Sequence, residues 1–204
     1  MTRKNPISPN PTRREFLRKS SAVAAAATLP LKGVGFHNSV DDVLKVGLVG
    51  CGGRGTGAAA NALRADAATR LVAMGDAFAN RVESSLAGLQ GSGGIAGQVD
   101  VPQERRFLGF DAYQRVIEES DVVLLATPPH FRPLHVEAAV SAGKHPFVEK
   151  PVAVDAPGIR RVMDACRAAA DKGLSLVSGL CYRYQFAKQE TIKRIHGGAI
   201  GDLV

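Results

Sequence analysis

Tryptophan is absent from the 204 residues, aromatic side chains make up 5% of them, and cysteine occurs only three times. Cys51, Cys166 and Cys181 form no C-x-x-C pair, which excludes a disulfide framework and a thiolate zinc site and leaves buried free thiols as the expectation. His130 and His135 stand at i, i+5 with Pro133 between them, and no carboxylate or thiol close by completes a ligand set, so no metal is expected. No run of about 18 apolar residues occurs, so no stable membrane span is expected. Acidic residues are scarce at the head of the chain: residues 1–30 hold Arg3, Lys4, Arg13, Arg14, Arg18 and Lys19 against Glu15 alone. That stretch carries +5 of the total net charge of +7, and the remaining +2 is spread without a single-sign cluster or stacked aromatics, which argues against nucleic acid as a partner.

What is present at the head is a charged stretch (residues 12–19), then an apolar run of small residues from Ser20 to Leu29, then Pro30. This is the layout of a secretory signal, and Arg13-Arg14 followed by Phe16-Leu17 resembles a twin-arginine export signal. Residues 1–40 are therefore read as signal and linker, with the twin-arginine machinery as a partner and the periplasm or cell envelope as the destination. That route carries folded proteins, so a cofactor made in the cytoplasm would be loaded before export.

After residue 44 short apolar runs alternate with helical periodicity. Strands are expected at Lys45–Val49, Arg70–Met74, Arg105–Phe110, Asp121–Thr127, His145–Glu149 and Leu174–Ser178. Helices are expected at Arg54–Leu63, Ala79–Leu89, Asp111–Glu119 with Asp111 as N-cap, Phe131–Ala142 closed by Gly143, Pro157–Lys172 capped by Asp155 and ended by Gly173, and from about Phe186 to His196. In the helix at 157–172, Ile159, Val162, Met163, Cys166 and Ala170 recur at helical spacing and form the expected buried face. Tyr182 and Tyr184 alternate on an expected strand as packing residues. Gly88–Gly97, with five glycines, reads as a mobile loop. The alternation predicts an α/β fold, a Rossmann-type doubly wound parallel sheet covered on both faces, over residues 44–180. Ile200–Val204 reads as the start of another strand, and residues 181–204 as the start of a truncated carboxyl-terminal α+β substrate domain.

Gly50-Cys51-Gly52-Gly53-Arg54-Gly55 is G-x-G-x-x-G between the first strand and the first helix. Gly50 permits the tight turn, Gly52 lets backbone approach a pyrophosphate, and Gly55 lets the helix pack on the strand, while the free N–H groups of the helix start, Gly53 and Arg54 among them, face the phosphates. Gly91-Ser92-Gly93-Gly94-Ile95-Ala96 fits the looser pattern but follows no strand, and is set aside as a decoy. Asp76 closes the second strand 26 positions after Gly50, the place of a carboxylate that accepts hydrogen bonds from ribose hydroxyls and repels a 2′-phosphate. NAD is thereby favoured over NADP, with Arg81 nearby keeping NADP open.

Downstream, Thr127-Pro128-Pro129-His130, then His135, Ala142-Gly143-Lys144-His145 and Glu149-Lys150-Pro151, and finally Gly179-Leu180-Cys181-Tyr182-Arg183-Tyr184, together resemble the Gfo/Idh/MocA family, the glucose–fructose oxidoreductase and inositol dehydrogenase group. The resemblance implies that Thr127, Pro128 and His130 line the cofactor groove, Glu149 contacts the nicotinamide side, Lys150 faces substrate as the catalytic residue in a partly dry cleft, Arg183 approaches the cofactor, and Lys150–Pro151 is a cis peptide. His135 would pack beneath the groove. It further implies a sugar, sugar acid or cyclitol substrate and a second domain with further catalytic residues, for which Asp202 is no substitute. An NAD-dependent glycosidase that oxidises its sugar transiently, and a non-catalytic Rossmann binding protein, remain alternatives, and oligomerisation is left open.

Overall fold

A computed structural model describes residues 43–201 of the chain. The expected signal at 1–40, most of the strand at 200–204 and Asp202 lie outside them; Ile200 itself sits in a turn. Six strands, β1 (Leu44–Val49), β2 (Thr69–Asp76), β3 (Arg106–Leu108), β4 (Val122–Leu125), β5 (His145–Val148) and β6 (Val177–Ser178), form one sheet in the order β3-β2-β1-β4-β5-β6. Every pairing is parallel. The order reverses between β1 and β4, which opens a crevice at the carboxyl ends of these two strands.

Alternation along the strands sends side chains to two cores. Val46, Leu48, Leu71 and Met74 meet helices α1 (Gly53–Ala65) and α2 (Ala79–Gln90) through Ala59, Leu63, Val82 and Leu86 on one face. Val49, Ala73, Val123, Leu125 and Val148 meet α3 (Ala112–Glu119), α4 (Arg132–Ser141) and α5 (Ala156–Asp171) on the other. Both faces of the sheet are thus dry, and each fully buried Leu, Val or Met contributes about 1.5–3 kcal/mol.

Several expectations need correction. The buried face of α5 is Gly158, Val162, Ala165 and Ala169, whereas Ile159, Met163, Cys166 and Ala170 are exposed. Small residues let α5 seat closely on α4: a Cβ at Gly158 would lie 3.1 Å from the Pro133 ring. Consequently only Cys51 is a buried thiol, and Cys166 and Cys181 are exposed. Asp155 does cap α5, accepting from the Gly158 N–H at 2.7 Å. Asp111 stands at the N-cap of α3 but makes no side-chain cap, because its backbone is already helical (φ −92°, ψ −2°) rather than extended. The expected mobile loop at Gly88–Gly97 is in part the end of α2, and its middle is pinned by Ile95, 2% exposed in the first core. Residues 181–184 form a 3-10 turn instead of a strand, with Tyr182 and Tyr184 exposed. A last helix, α6 (Phe186–His196), follows and buries none of its side chains among the described residues. No helix of the described residues is long and apolar enough to cross a membrane.

Candidate cofactor-binding site

The glycine turn begins where β1 ends. Gly50 has φ +93°, and a Cβ there would lie 2.7 Å from the backbone of Ala126 and Thr127, so β1 and β4 come together only around a bare glycine. A Cβ on Gly55 would fall 1.9 Å from the Gly50 carbonyl oxygen, which is the close helix–strand contact the spacing predicts. Gly52 and Gly53 face open space, with nothing within 4 Å of a Cβ. Gly52 is the N-cap of α1 and no side chain caps it. The N–H groups of Gly53, Arg54 and Gly55 therefore point out of the helix start without an intrahelical partner, at the positive end of its dipole.

The turn borders, through Gly50 and Gly52, a groove of about 430 Å³ at the crevice between β1 and β4. Asp76 stands in it and is oriented by the turn itself: one carboxylate oxygen accepts from Cys51 N–H at 2.7 Å and the other from Phe78 N–H at 3.1 Å. A carboxylate has about four acceptor sites, so two such bonds leave it capacity for a ligand. Arg81, in the first turn of α2, borders the same groove. Phe78 and Phe110 are largely exposed at its rim, with Phe110 stacked on Phe131 at 5.8 Å.

Thr127 and Pro128 line the far wall. His130 does not: it is exposed and lies edge-on to Phe131 at 5.4 Å, outside the groove lining. His135 packs beneath, 4% exposed, its ring stacked on Tyr113 at 4.2 Å and its Nδ1 3.2 Å from Thr127 Oγ1. Burial lowers its pKa to about 4, so it is a neutral ring at ordinary pH. Cys51 is also buried, and its thiol is pushed up to about 12, first by burial and then by the charge of Asp76.

Glu149, immediately after β5, is 3% exposed. Its Oε1 lies 2.5 Å from Arg54 Nη2, an ion pair between a buried carboxylate and a half-exposed guanidinium. Glu149 raises the pKa of Arg54. The Lys150–Pro151 bond is cis, as expected. Lys150 is exposed and borders a second hollow with Cys181, Tyr182 and Arg183, so the drying expected around it is not present among the described residues. Gly53 and Arg54 lie at the turn but outside the lining of the first groove, and Arg183 lies in the second hollow.

Arg132 is a site residue that sequence reasoning missed. It opens α4, lines the groove, is 6% exposed, and donates through Nη1 to the Pro151 carbonyl while its Nε has no partner. Burial lowers its pKa and Glu149 opposes that shift. Its place in a first helical turn reads as a solvated arginine, and no sequence signal marks it otherwise. No group of three or more metal-ligating side chains occurs among the described residues.

A sheet that reverses at a glycine turn, an uncapped helix start and a carboxylate closing β2 define a dinucleotide-binding domain. The residues present fit the cofactor, because open space lies where the turn would approach a pyrophosphate. Residues 44–177 match the Gfo/Idh/MocA oxidoreductase family, NAD-binding Rossmann fold, and the chain belongs to that family. It is 34% identical over 160 residues to inositol 2-dehydrogenase 4 of Saccharopolyspora erythraea, covering 78% of this chain and 42% of that protein. It is 26% identical over 193 residues to a glycosyl hydrolase family 109 protein of Streptomyces coelicolor, covering 90% and 39%. Among solved structures, scyllo-inositol dehydrogenase from Lactobacillus casei, with NAD(H) and scyllo-inositol bound, superposes with a TM-score of 0.61 at 23% identity, covering 78% and 43%. The chain thus spans about two fifths of the length of these relatives.

Proposed function

We propose that the chain supplies the cofactor half of an oxidoreductase that moves hydride between NAD(H) and a hydroxyl-bearing carbon of a sugar, sugar acid or cyclitol. The observation that carries this reading is the groove at the β1/β4 reversal, with an uncapped helix start on one side and the Asp76 carboxylate on the other. Asp76 binds the ribose hydroxyls and disfavours a 2′-phosphate. The N–H groups of Gly53, Arg54 and Gly55 hold the pyrophosphate, and Gly50 and Gly52 shape its approach. Thr127 and Pro128 form the wall, and neutral His135 holds Thr127 in place from below. Held in this groove, NAD+ would supply the hydride acceptor for the substrate C–H bond. On the family likeness, Glu149 is assigned to the nicotinamide side, Arg183 to the cofactor, and Lys150 to receiving the hydroxyl proton.

Residues 1–40 belong to the same proposal as a twin-arginine-type signal that sends the folded, cofactor-loaded protein to the periplasm or cell envelope. The likeness to a glycosyl hydrolase family 109 protein over 90% of the chain favours a second reading, glycoside cleavage through transient sugar oxidation. Net NADH formation with polyols separates the two, since the glycosidase restores its cofactor each cycle.

The test is titration with NADH and NADPH, followed by nicotinamide fluorescence, with Asp76→Ala alongside. Saturable NADH binding that weakens roughly 10- to 100-fold in the variant supports the reading, the range set by about 1.5–3 kcal/mol for hydrogen bonds to a charged acceptor. Equal NADH affinity in both proteins overturns the role of Asp76, and the absence of binding overturns the proposal.

A further inference from the structure

The two faces of α6 differ in charge. Lys188, Lys193 and His196 border the second hollow together with Arg183 and Lys150. The helix's one acidic residue, Glu190, does not border it and is paired with Arg194 at 2.8 Å. Among the described residues no aspartate or glutamate lines the hollow, and Lys150, Arg183, Lys188 and Lys193 form no ion pair. Lys188 instead lies over the Tyr182 ring at 5.3 Å. Gln189 donates to the Arg183 carbonyl at 2.9 Å, which ties the 3-10 turn to the helix and keeps both sets of cations on the same hollow.

The hollow measures about 1150 Å³, room for more than a sugar ring. Arg183, Lys188 and Lys193, without a counter-ion among the described residues, repel one another, and a bound anion relieves that repulsion. A neutral polyol, by contrast, calls for groups that accept hydrogen bonds from its hydroxyls as well as donate to them, and Gln189 is the one side-chain amide among the described lining residues.

We propose that this hollow binds the anionic group of a polyol substrate, a sugar carboxylate or sugar phosphate, through Arg183, Lys188 and Lys193, with the hydroxyl-bearing carbon turned toward Lys150. The proposal rests on the reading of the chain as the cofactor half of a polyol oxidoreductase. It narrows the substrate from polyols in general to charged ones.

Calorimetric titration of the 204-residue chain, with and without saturating NADH, tests it. The probes are D-glucuronate, D-glucose 6-phosphate, D-glucose and inorganic phosphate, at roughly 20 and 200 mM salt, which brackets weak and strong screening. At least one anionic sugar is expected to bind about tenfold or more tighter than glucose and than inorganic phosphate, with affinity falling severalfold at the higher salt. Whichever of the two sugars binds tighter identifies carboxylate or phosphate as the group held. The double variant Lys188→Gln/Lys193→Gln, whose changes lie on an exposed helix, is expected to lose about tenfold of that affinity while NADH affinity stays unchanged. Equal binding of glucose and the anionic sugars, equal binding of inorganic phosphate, or an unaffected double variant overturns the proposal. Anionic sugar binding with no NADH binding leaves this site standing and removes the cofactor reading. NADH binding with no preference for anionic sugars does the reverse.

Discussion

His135 makes the stability of the domain fall in mild acid, by an amount the structure sets. Its ring is 4% exposed between Tyr113 and Phe131, and burial lowers its pKa from 6.5 to about 4. In the unfolded chain the same ring titrates near 6.5. Between these values the unfolded state binds more protons than the folded state, so stability drops as pH falls from 6.5 toward 4 and is flat on either side. The full difference corresponds to about 3 kcal/mol, of which about 2.5 kcal/mol is lost by pH 4.5. His135→Phe keeps an aromatic ring against Tyr113 but does not titrate. It also leaves Thr127 Oγ1 without its partner, a cost that is the same at every pH. Urea unfolding followed by circular dichroism at pH 7.5 and about pH 4.5 reads the effect, because carboxylates common to both proteins cancel in the difference. The wild type is expected to lose about 2–3 kcal/mol more than the variant between the two pH values. Equal losses would refute the reasoning and mean that water or a rearrangement solvates the imidazolium.

Gly55→Ala places a methyl carbon 1.9 Å from the Gly50 carbonyl oxygen, so α1 must shift, at a cost of about 1–3 kcal/mol in thermal or urea unfolding; an unchanged midpoint would disprove the tight contact. Gly52→Ala meets nothing within 4 Å and is expected to cost under about 1 kcal/mol in stability yet weaken NADH binding, and unchanged affinity would remove the pyrophosphate from that turn. Cys166 and Cys181 are expected to react with Ellman's reagent at pH 8 in the native protein, while Cys51, buried and with its thiol pushed up to about 12, reacts only after unfolding; release from all three in the native state would contradict its burial. Asp155→Ala removes the cap on Gly158 N–H and is expected to destabilise by about 1 kcal/mol, read as a lowered urea midpoint.

The parallel sheet and the cofactor groove were legible because their signals are local. A β-branched run stopped by glycines can only turn sharply, and Gly50, Gly55 and Asp76 sit where that turn requires them. What escaped depends on neighbours far along the chain. The face of α5 was misassigned because periodicity gives weight to large apolar side chains, while the helix packs through Gly158, Ala165 and Ala169 and leaves Ile159 and Met163 outside. Arg132 was missed because its burial depends on Pro151 and Glu149, distant in sequence, and His130 was placed in the groove although its side chain turns toward Phe131. The 3-10 turn at 181–184 has the alternation of a strand but is no part of the sheet among the described residues.

The two arginines also explain how a three-residue loop can carry a site. Arg54 reaches from the first turn of α1 to Glu149, and Arg132 reaches from the first turn of α4 to the carbonyl of Pro151. Glu149 N–H is fixed to the Leu125 carbonyl at 3.0 Å, and a Cβ on Gly179 would lie 3.0 Å from the Glu149 carboxylate, so that side has no slack. The Glu149–Pro151 segment is therefore held at both ends by charged groups from the two helices that flank the β1/β4 crevice. Lys150, between them, has no ion-pair partner among the described residues, and it is exposed at the edge of the second hollow. Removing Arg54 leaves the buried Glu149 carboxylate uncompensated, and such a loss is large when the partner stays buried. The frame that positions Lys150 thus depends on the same α1 turn that would bind the cofactor's phosphates, so the cofactor site and Lys150 share one support.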